Sequence, residues 1–123
     1  MKGLSKIEAN GKEILFVDYS NKKEAEMIPL ILESKKIIQS NRAGQLLLSD
    51  FTNTYASPAF MNVLRREIMD VLPLISKQAI IGLNEPKRWI LKGFNLLLKT
   101  DYRAFDTKEE ALAYLSADEA TTV

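Results

Sequence analysis

The chain has 123 residues, of which 46% are hydrophobic and 27% are charged, and its net charge is +1. This length is typical of one domain with a hydrophobic core, and the near-zero net charge gives no indication of nucleic-acid binding. Cysteine and histidine are both absent, which excludes disulfides, thiol chemistry and histidine-activated nucleophiles. No apolar run approaches the roughly 20 residues of a membrane span. We therefore expect a cytoplasmic, non-catalytic protein without a cofactor, a metal ion or a transmembrane segment.

The N-terminal part of the chain predicts a β-hairpin followed by a helix. Asn10-Gly11 is the favoured pair for a two-residue hairpin turn, because both residues tolerate positive φ. Residues 14–17 are all apolar, which is typical of a strand covered on both faces. Residues 21–40 show helical spacing of apolar side chains. Pro29 within them is expected to kink this helix or to move its start further along the chain.

The rest of the chain alternates predicted strands and helices. Three of the helix starts have capping signals, namely Ser57-Pro58, Asn84 or Glu85 ahead of Pro86, and the capping box of Thr107 and Glu110. The predicted elements are a strand at 43–52, a helix at 57–75, a strand at 77–83, a helix at 84–100, a weak strand at 102–106 and a helix at 107–117.

The resulting order, β-β-α-β-α-β-α-β-α, predicts a single α/β domain. Strands that alternate with helices form parallel pairs through right-handed crossovers. We therefore expect a mostly parallel sheet with an N-terminal β-hairpin and four helices. The domain is predicted to span residues 1–118, and residues 119–123 are expected to form a disordered tail.

Three segments resemble the STAS domains of bacterial anti-sigma factor antagonists and sulfate transporters. They are the hairpin running into "ILFVDYSNKKEAEMIPLIL", the strand "LLLSDFT", and the strand and capped helix "YRAFDTKEEALAYL". The resemblance covers nearly the whole chain and implies a STAS-like fold. It also implies a regulatory or protein-interaction module, with a protein partner or a second copy of the chain as its target.

The resemblance points to the start of the second helix as a switch. STAS antagonists carry Asp-Ser-Ser-Gly there, with a phosphorylated serine, whereas this chain has Ala56-Ser57-Pro58-Ala59. The resemblance therefore implies a diverged branch of the family. Ser57 and Thr54 are the candidate phosphoacceptor or anion-binding residues. The alternative is that Ser57 is simply an N-cap, because its hydroxyl suits the first turn of a helix.

A repeated motif follows the first two central strands. "VDYSN" and "SDFTN" both read Asp-aromatic-hydroxyl-Asn, and strand ends of this kind line the ligand-binding edge of α/β sheets. A binding rim is therefore predicted from Asp18, Tyr19, Asp50, Thr52, Asn53 and Tyr55. The alternative is that these residues only build turns. In an enzyme, Asp18 and Asp50 would instead hold a metal ion.

The third helix combines basic and apolar residues. Lys87, Arg88 and Lys92 are predicted to form a basic, solvent-facing side. Such a side is able to bind phosphates or an anionic lipid surface, and the alternative is a helix face that is simply solvated. The side chains expected to pack on the sheet are Trp89, Phe94, Leu97 and Leu98. The apolar stripe is wider than one face needs, which indicates a partner or a second copy.

Two functions from different classes remain open at this point. A regulatory module predicts a well-packed loop at residues 50–57 and no internal cavity. A carrier of a small apolar or anionic ligand, as the lipid-binding relatives of this fold are, predicts a hollow between helices and sheet. In that case the third helix would be its cover.

Overall fold

The computed structural model describes residues 2–117. The predicted boundary at 118 and the tail at 119–123 lie outside this range. The elements are β1 (Leu4–Ala9), β2 (Lys12–Asp18), α1 (Glu24–Gln39), β3 (Gln45–Asp50), α2 (Pro58–Met69), a 3₁₀ turn (Leu72–Leu74), β4 (Ile75–Ile81), α3 (Glu85–Leu98), β5 (Arg103–Phe105) and α4 (Lys108–Ser116). The predicted α/β class and order of elements are confirmed. None of the helices within residues 2–117 has the length and apolarity needed to cross a membrane.

The five strands form one sheet in the order β1-β2-β3-β4-β5. β1 and β2 form the predicted antiparallel hairpin, with φ of 52° at Asn10 and 75° at Gly11 as a two-residue turn with positive φ requires. The other pairs are parallel, and Asp18, Asp50 and Ile81 lie side by side at the carboxyl ends of β2, β3 and β4.

The helices lie unevenly on the two faces of the sheet. Each parallel connection moves one strand further in the same direction, so right-handed crossovers place α1, α2 and α3 on one face. On the other face α4 is the one helix within residues 2–117, and its Ala111 and Leu115 pack against the fully buried Ile14 and Leu48. Three helices therefore share one side of a sheet whose last strand, β5, has only three residues.

α3 is the helix that is held least firmly by apolar packing. None of its residues is buried, whereas α1 buries Met27 and Leu30 among others. Polar contacts hold it instead: Arg88 Nη2 lies 2.5 Å from Asp106 Oδ1, and Asn95 Nδ2 donates to the Tyr102 carbonyl at 2.9 Å. Because polar contacts position α3, its apolar side chains need not pack tightly on the sheet, and space remains between the helix and the sheet.

The predicted inward face of α3 needs correction. Trp89 and Leu97 were expected on the sheet, but they are 68% and 60% exposed. The half-buried apolar residues are instead Leu91, Phe94 and Leu98, which follow helical spacing. The helix is apolar on two sides, and the residue spacing does not indicate which side turns inward.

Two smaller differences concern helix boundaries. α1 continues through Pro29, whose ring lies on the exposed side of the helix. α2 ends at Met69, before the 3₁₀ turn that contains Pro73, so Ile75 belongs to β4 rather than to the apolar stripe of the helix.

Candidate functional site

The repeated Asp-aromatic-hydroxyl-Asn motif forms two identical turns at adjacent strand ends. Asp18 Oδ1 accepts hydrogen bonds from the Ser20 amide (2.9 Å) and hydroxyl (2.5 Å). Asp50 Oδ1 accepts the same pair from Thr52, at 2.9 and 2.6 Å. The residues of the predicted rim on β2 and β3 do lie together, but each aspartate already has an oxygen committed to its own turn.

The two turns are also joined to each other. Asn21 and Asn53 both have positive φ, 57° and 54°, and Asn53 Nδ2 donates to Asn21 Oδ1 at 2.8 Å. Burial opposes the charged form of Asp18, but the hydrogen bonds from Ser20 outweigh it and hold the pKa of this carboxyl below its usual value. Within residues 2–117 there is no group of three or more acidic, histidine or cysteine side chains that could hold a metal.

Ser57, at the start of α2, has the geometry of an N-cap. Its Oγ accepts a hydrogen bond from the Phe60 amide at 3.1 Å, and its own amide donates to Glu24 Oε1 at 2.9 Å. The helix start therefore already faces a carboxylate. A phosphate on Ser57 would meet that negative charge, so the local electrostatics disfavour an anion here.

Thr54 and Tyr55 occupy the loop ahead of α2. The Thr54 hydroxyl donates to the Phe51 carbonyl at 2.8 Å. Lys87 Nζ of α3 donates to the Thr54 carbonyl and reaches its hydroxyl at 3.3 Å, so α3 is tied to this loop. Tyr55 is 71% exposed.

Tyr19 connects the rim with the interior. Its ring stacks on that of Phe51, with centroids 4.6 Å apart and planes 9° apart, and the side chain is buried. Burial raises the pKa of its phenol well above the usual value, although a hydrogen bond with Ser34 opposes this rise. Tyr19 was predicted as a rim residue, but it faces the space beneath the helices.

That space is a cavity of about 100 Å³ between the sheet and the helices α1, α2 and α3. Most of its lining is apolar, and α3 contributes Leu91 and Phe94. The other apolar lining residues include Val17, Ile31, Ile38, Leu47, Phe51, Phe60, Leu64, Ile68 and Ile80. A hollow of this size is several times what one water molecule needs, and apolar cavities of about this size bind small organic molecules.

Besides Tyr19, Ser34, Thr54 and the charged side chains, the lining contains three polar side chains, Ser49, Gln78 and Tyr102. Gln78 Nε2 donates to Ser49 Oγ at 3.1 Å, and both side chains are buried. Gln78 Oε1 and the Tyr102 hydroxyl have no hydrogen-bond partner within residues 2–117. Burial raises the pKa of Tyr102 to about 12, so its phenol keeps its proton at physiological pH.

These polar residues were not among the predicted sites. A signal for two of them exists, because Ser49 shares a strand face with Leu47, and Gln78 shares one with Ile80. A polar residue on a strand face that a helix covers is uncommon and often marks a site. Tyr102 carried no such signal, because its burial depends on where α3 crosses the sheet.

The charged residues of the cavity lining each have an ion-pair or hydrogen-bond partner in the protein. Lys35 of α1 contacts Glu67 and Asp70, both at 2.7 Å, and links α1 to α2. The hydrogen bond from Lys35 holds the pKa of Glu67 below its usual value. Lys87 is half-buried and contributes to the lining, next to Thr54.

The predicted basic side of α3 is divided in the structure. Lys87 faces the cavity and Arg88 faces Asp106, whereas Lys92 is exposed and lies over the Trp89 ring, 4.6 Å from its centroid. Only Lys92 of the three lies on the exposed apolar side.

Comparison of the chain with protein-family models, with curated proteins and with solved structures finds no match. A function for this chain is therefore inferred from its own geometry.

Proposed function

We propose that this protein binds a small, predominantly apolar ligand in the cavity beneath α3. The observation that carries the proposal is the apolar hollow of about 100 Å³ between α3 and the sheet. A carrier requires such a hollow, and a module that works only through its outer surface does not. Natural cores contain few voids larger than a water molecule, and apolar cavities of about this size bind small organic molecules.

The proposal gives α3 the part of a cover. Its inward side chains meet the cavity rather than a packed core, and polar contacts at Lys87, Arg88 and Asn95 anchor it. A ligand would supply the apolar contacts that α3 lacks. Binding should therefore stabilise the folded chain and α3 in particular.

The experiment that tests the proposal uses one substitution inside the cavity and one outside it on the same helix. Leu91 lines the cavity, whereas Leu96 is 83% exposed. Leu91→Trp should fill the space and weaken toluene binding at least tenfold in an NMR titration. Leu96→Trp introduces the same side chain on the outer face and should leave toluene binding unchanged.

Two results would contradict the proposal. One is the absence of saturable toluene binding to the unmodified chain. The other is equal affinity in both tryptophan variants, which would put the toluene site on the outer surface of α3. Thermal melting of both variants shows whether each is folded before the titrations are compared.

A protein-interaction module is the second candidate, and the outer side of α3 favours it. Trp89, Leu96 and Leu97 are large apolar side chains on the surface, and exposed apolar patches often mark contacts with other proteins. Sedimentation velocity at rising concentration tests self-association. A monomer at every concentration, with no change on Leu97→Lys, would count against a second copy as the partner.

The proposal also includes a relationship to STAS domains and a cytoplasmic location. The relationship is supported by the opening hairpin and by the alternation of strands and helices after it. Phosphorylation of Ser57 finds no support in the local geometry, because Glu24 faces that position.

A further inference from the structure

The polar atoms inside the cavity lie on neighbouring strands. Ala79 of β4 pairs with Arg103 of β5, so Gln78 of β4 lies beside Tyr102, the residue directly before β5. Ser49 of β3 completes the group through its hydrogen bond with Gln78. Ser49, Gln78 and Tyr102 therefore form one polar cluster within the lining.

Two atoms of this cluster are unpartnered although both side chains are more than nine-tenths buried. Gln78 is 6% exposed and Tyr102 is 8% exposed, and neither Gln78 Oε1 nor the Tyr102 hydroxyl has a partner within residues 2–117. Most buried polar groups in proteins are hydrogen-bonded, and an unpartnered one is costly. Both residues line the cavity, so its contents are the natural source of the missing partners.

The chemistry of the two atoms defines the group that fits them. Gln78 Oε1 is an acceptor only, whereas the Tyr102 hydroxyl is able to donate. One hydroxyl group of a ligand is able to hydrogen-bond to both atoms, because it donates its proton to Gln78 Oε1 and accepts through its lone pairs from the Tyr102 hydroxyl. A hydrocarbon forms neither hydrogen bond, and a carboxylate has no proton to donate to Gln78.

We infer that the ligand of this cavity is an uncharged molecule with an apolar body and a hydroxyl group that hydrogen-bonds to Gln78 and Tyr102; the inference rests on the proposed function. The cluster of Ser49, Gln78 and Tyr102 is itself uncharged. A buried anion next to it would lose its hydration without an opposite charge in return. The cavity volume of about 100 Å³ is suited to a body the size of one ring.

The structure also explains why the lysines of the lining do not change this inference. Lys35 already contacts two carboxylates, and Lys87 donates to Thr54. An anionic ligand would have to place its charged group at Lys87 rather than at the cluster. This alternative differs from the inference in both the favoured ligand and the residue that matters.

The test is an NMR titration of the full chain with three probes of similar shape: toluene, p-cresol and 4-methylbenzoate. The side-chain amide signals of Gln78 report directly on the cluster. We expect p-cresol to bind at least fivefold more tightly than toluene, and 4-methylbenzoate to bind more weakly than either. The Gln78 amide signals should shift with p-cresol and remain nearly unchanged with toluene.

Substitutions identify the residues responsible. Gln78→Leu and Tyr102→Phe should each reduce the preference for p-cresol over toluene to less than twofold while toluene binding is retained. Tyr55→Phe is the matched control, because Tyr55 is exposed and is not part of the lining. If Gln78→Leu fails to fold, Tyr102→Phe, which removes one oxygen atom only, carries the test.

Each other outcome overturns the inference in a distinguishable way. Equal affinity for toluene and p-cresol would contradict the inferred hydroxyl group of the ligand but would still support an apolar binding site. Tightest binding of 4-methylbenzoate, lost in Lys87→Met, would replace the hydroxyl with an anionic group at Lys87. Failure of all three probes to bind would overturn both the inference and the proposed function.

Discussion

At Gly82, directly after β4, the backbone has a φ of +83° and passes very close to the turn that follows β3. A Cβ atom at this position would lie 2.3 Å from Thr52 Oγ1 and 2.4 Å from the Thr52 amide nitrogen. The turn at Thr52 is fixed by its hydrogen bonds to Asp50. Gly82 therefore positions the loop between β3 and α2, which borders the cavity.

Gly82→Ala should lower the free energy of unfolding by about 2 kcal/mol more than Gly44→Ala does. Gly44 is the matched control, because it also has positive φ (+90°) but a Cβ there would meet no atom of residues 2–117 within 4 Å. The difference between the variants thus isolates the contact with Thr52 from the cost of positive φ. Urea unfolding measures both, and equal losses in the two variants would contradict the close approach.

Tyr102 should titrate later than an ordinary tyrosine. Burial raises its pKa to about 12, against a usual value near 10. The folded state holds this proton more tightly than the unfolded chain, so the stabilising contribution is complete below pH 10 and is lost as the pH rises towards 12. Urea midpoints between pH 9 and pH 11.5 should therefore fall less steeply for Tyr102→Phe than for the unmodified chain. Parallel slopes would show that Tyr102 titrates normally.

The helix caps could be predicted from the sequence, whereas the polar cluster in the cavity could not. Ser57, Asn84 and Thr107 were predicted at helix starts, and each accepts a hydrogen bond from the backbone amide three residues later. Those contacts are local and depend on nearby sequence alone. The cluster of Gln78, Ser49 and Tyr102 depends on strand register and on helix position, which local spacing does not contain.

Among the elements, α3 departs most from its sequence-based description. The prediction that Trp89 and Leu97 pack on the sheet is wrong, because the helix turns its other apolar side inward. Gly93 lies on the exposed side, and a Cβ there would point into open space. Among residues 2–117, no close approach of another backbone therefore offsets the cost of glycine in this helix.

Gly93→Ala should stabilise the chain by up to about 1 kcal/mol, because alanine is the better helix former and meets no steric obstacle. Hydrogen exchange of the α3 amides, together with urea unfolding, measures the effect. If α3 is a cover, its amides should gain protection more than those of α1. Destabilisation by this substitution would indicate that the outer side of α3 is packed against something.

At the scale of the whole molecule, the order in which strands are added to the sheet explains why the cavity lies on one of its faces. The parallel strands add in one direction only, so three helices must share one face while α4 covers the other. β5 is short and gives α3 little sheet to pack on. The alternation of elements predicted the sheet and its hairpin, but the size of the gap beneath α3 follows from tertiary packing and was open as one of two alternatives.

The most direct test of the central claim is methyl NMR of the chain under xenon pressure, because xenon enters apolar cavities of this kind. We predict saturable shifts for the methyl groups of Ile31 and Leu91, which line the cavity beneath α3. The methyl groups of Ile14 and Leu48, in the core against α4, should not respond. Equal responses on the two faces of the sheet, or no saturable response at Ile31 and Leu91, would contradict the existence of a ligand-binding cavity.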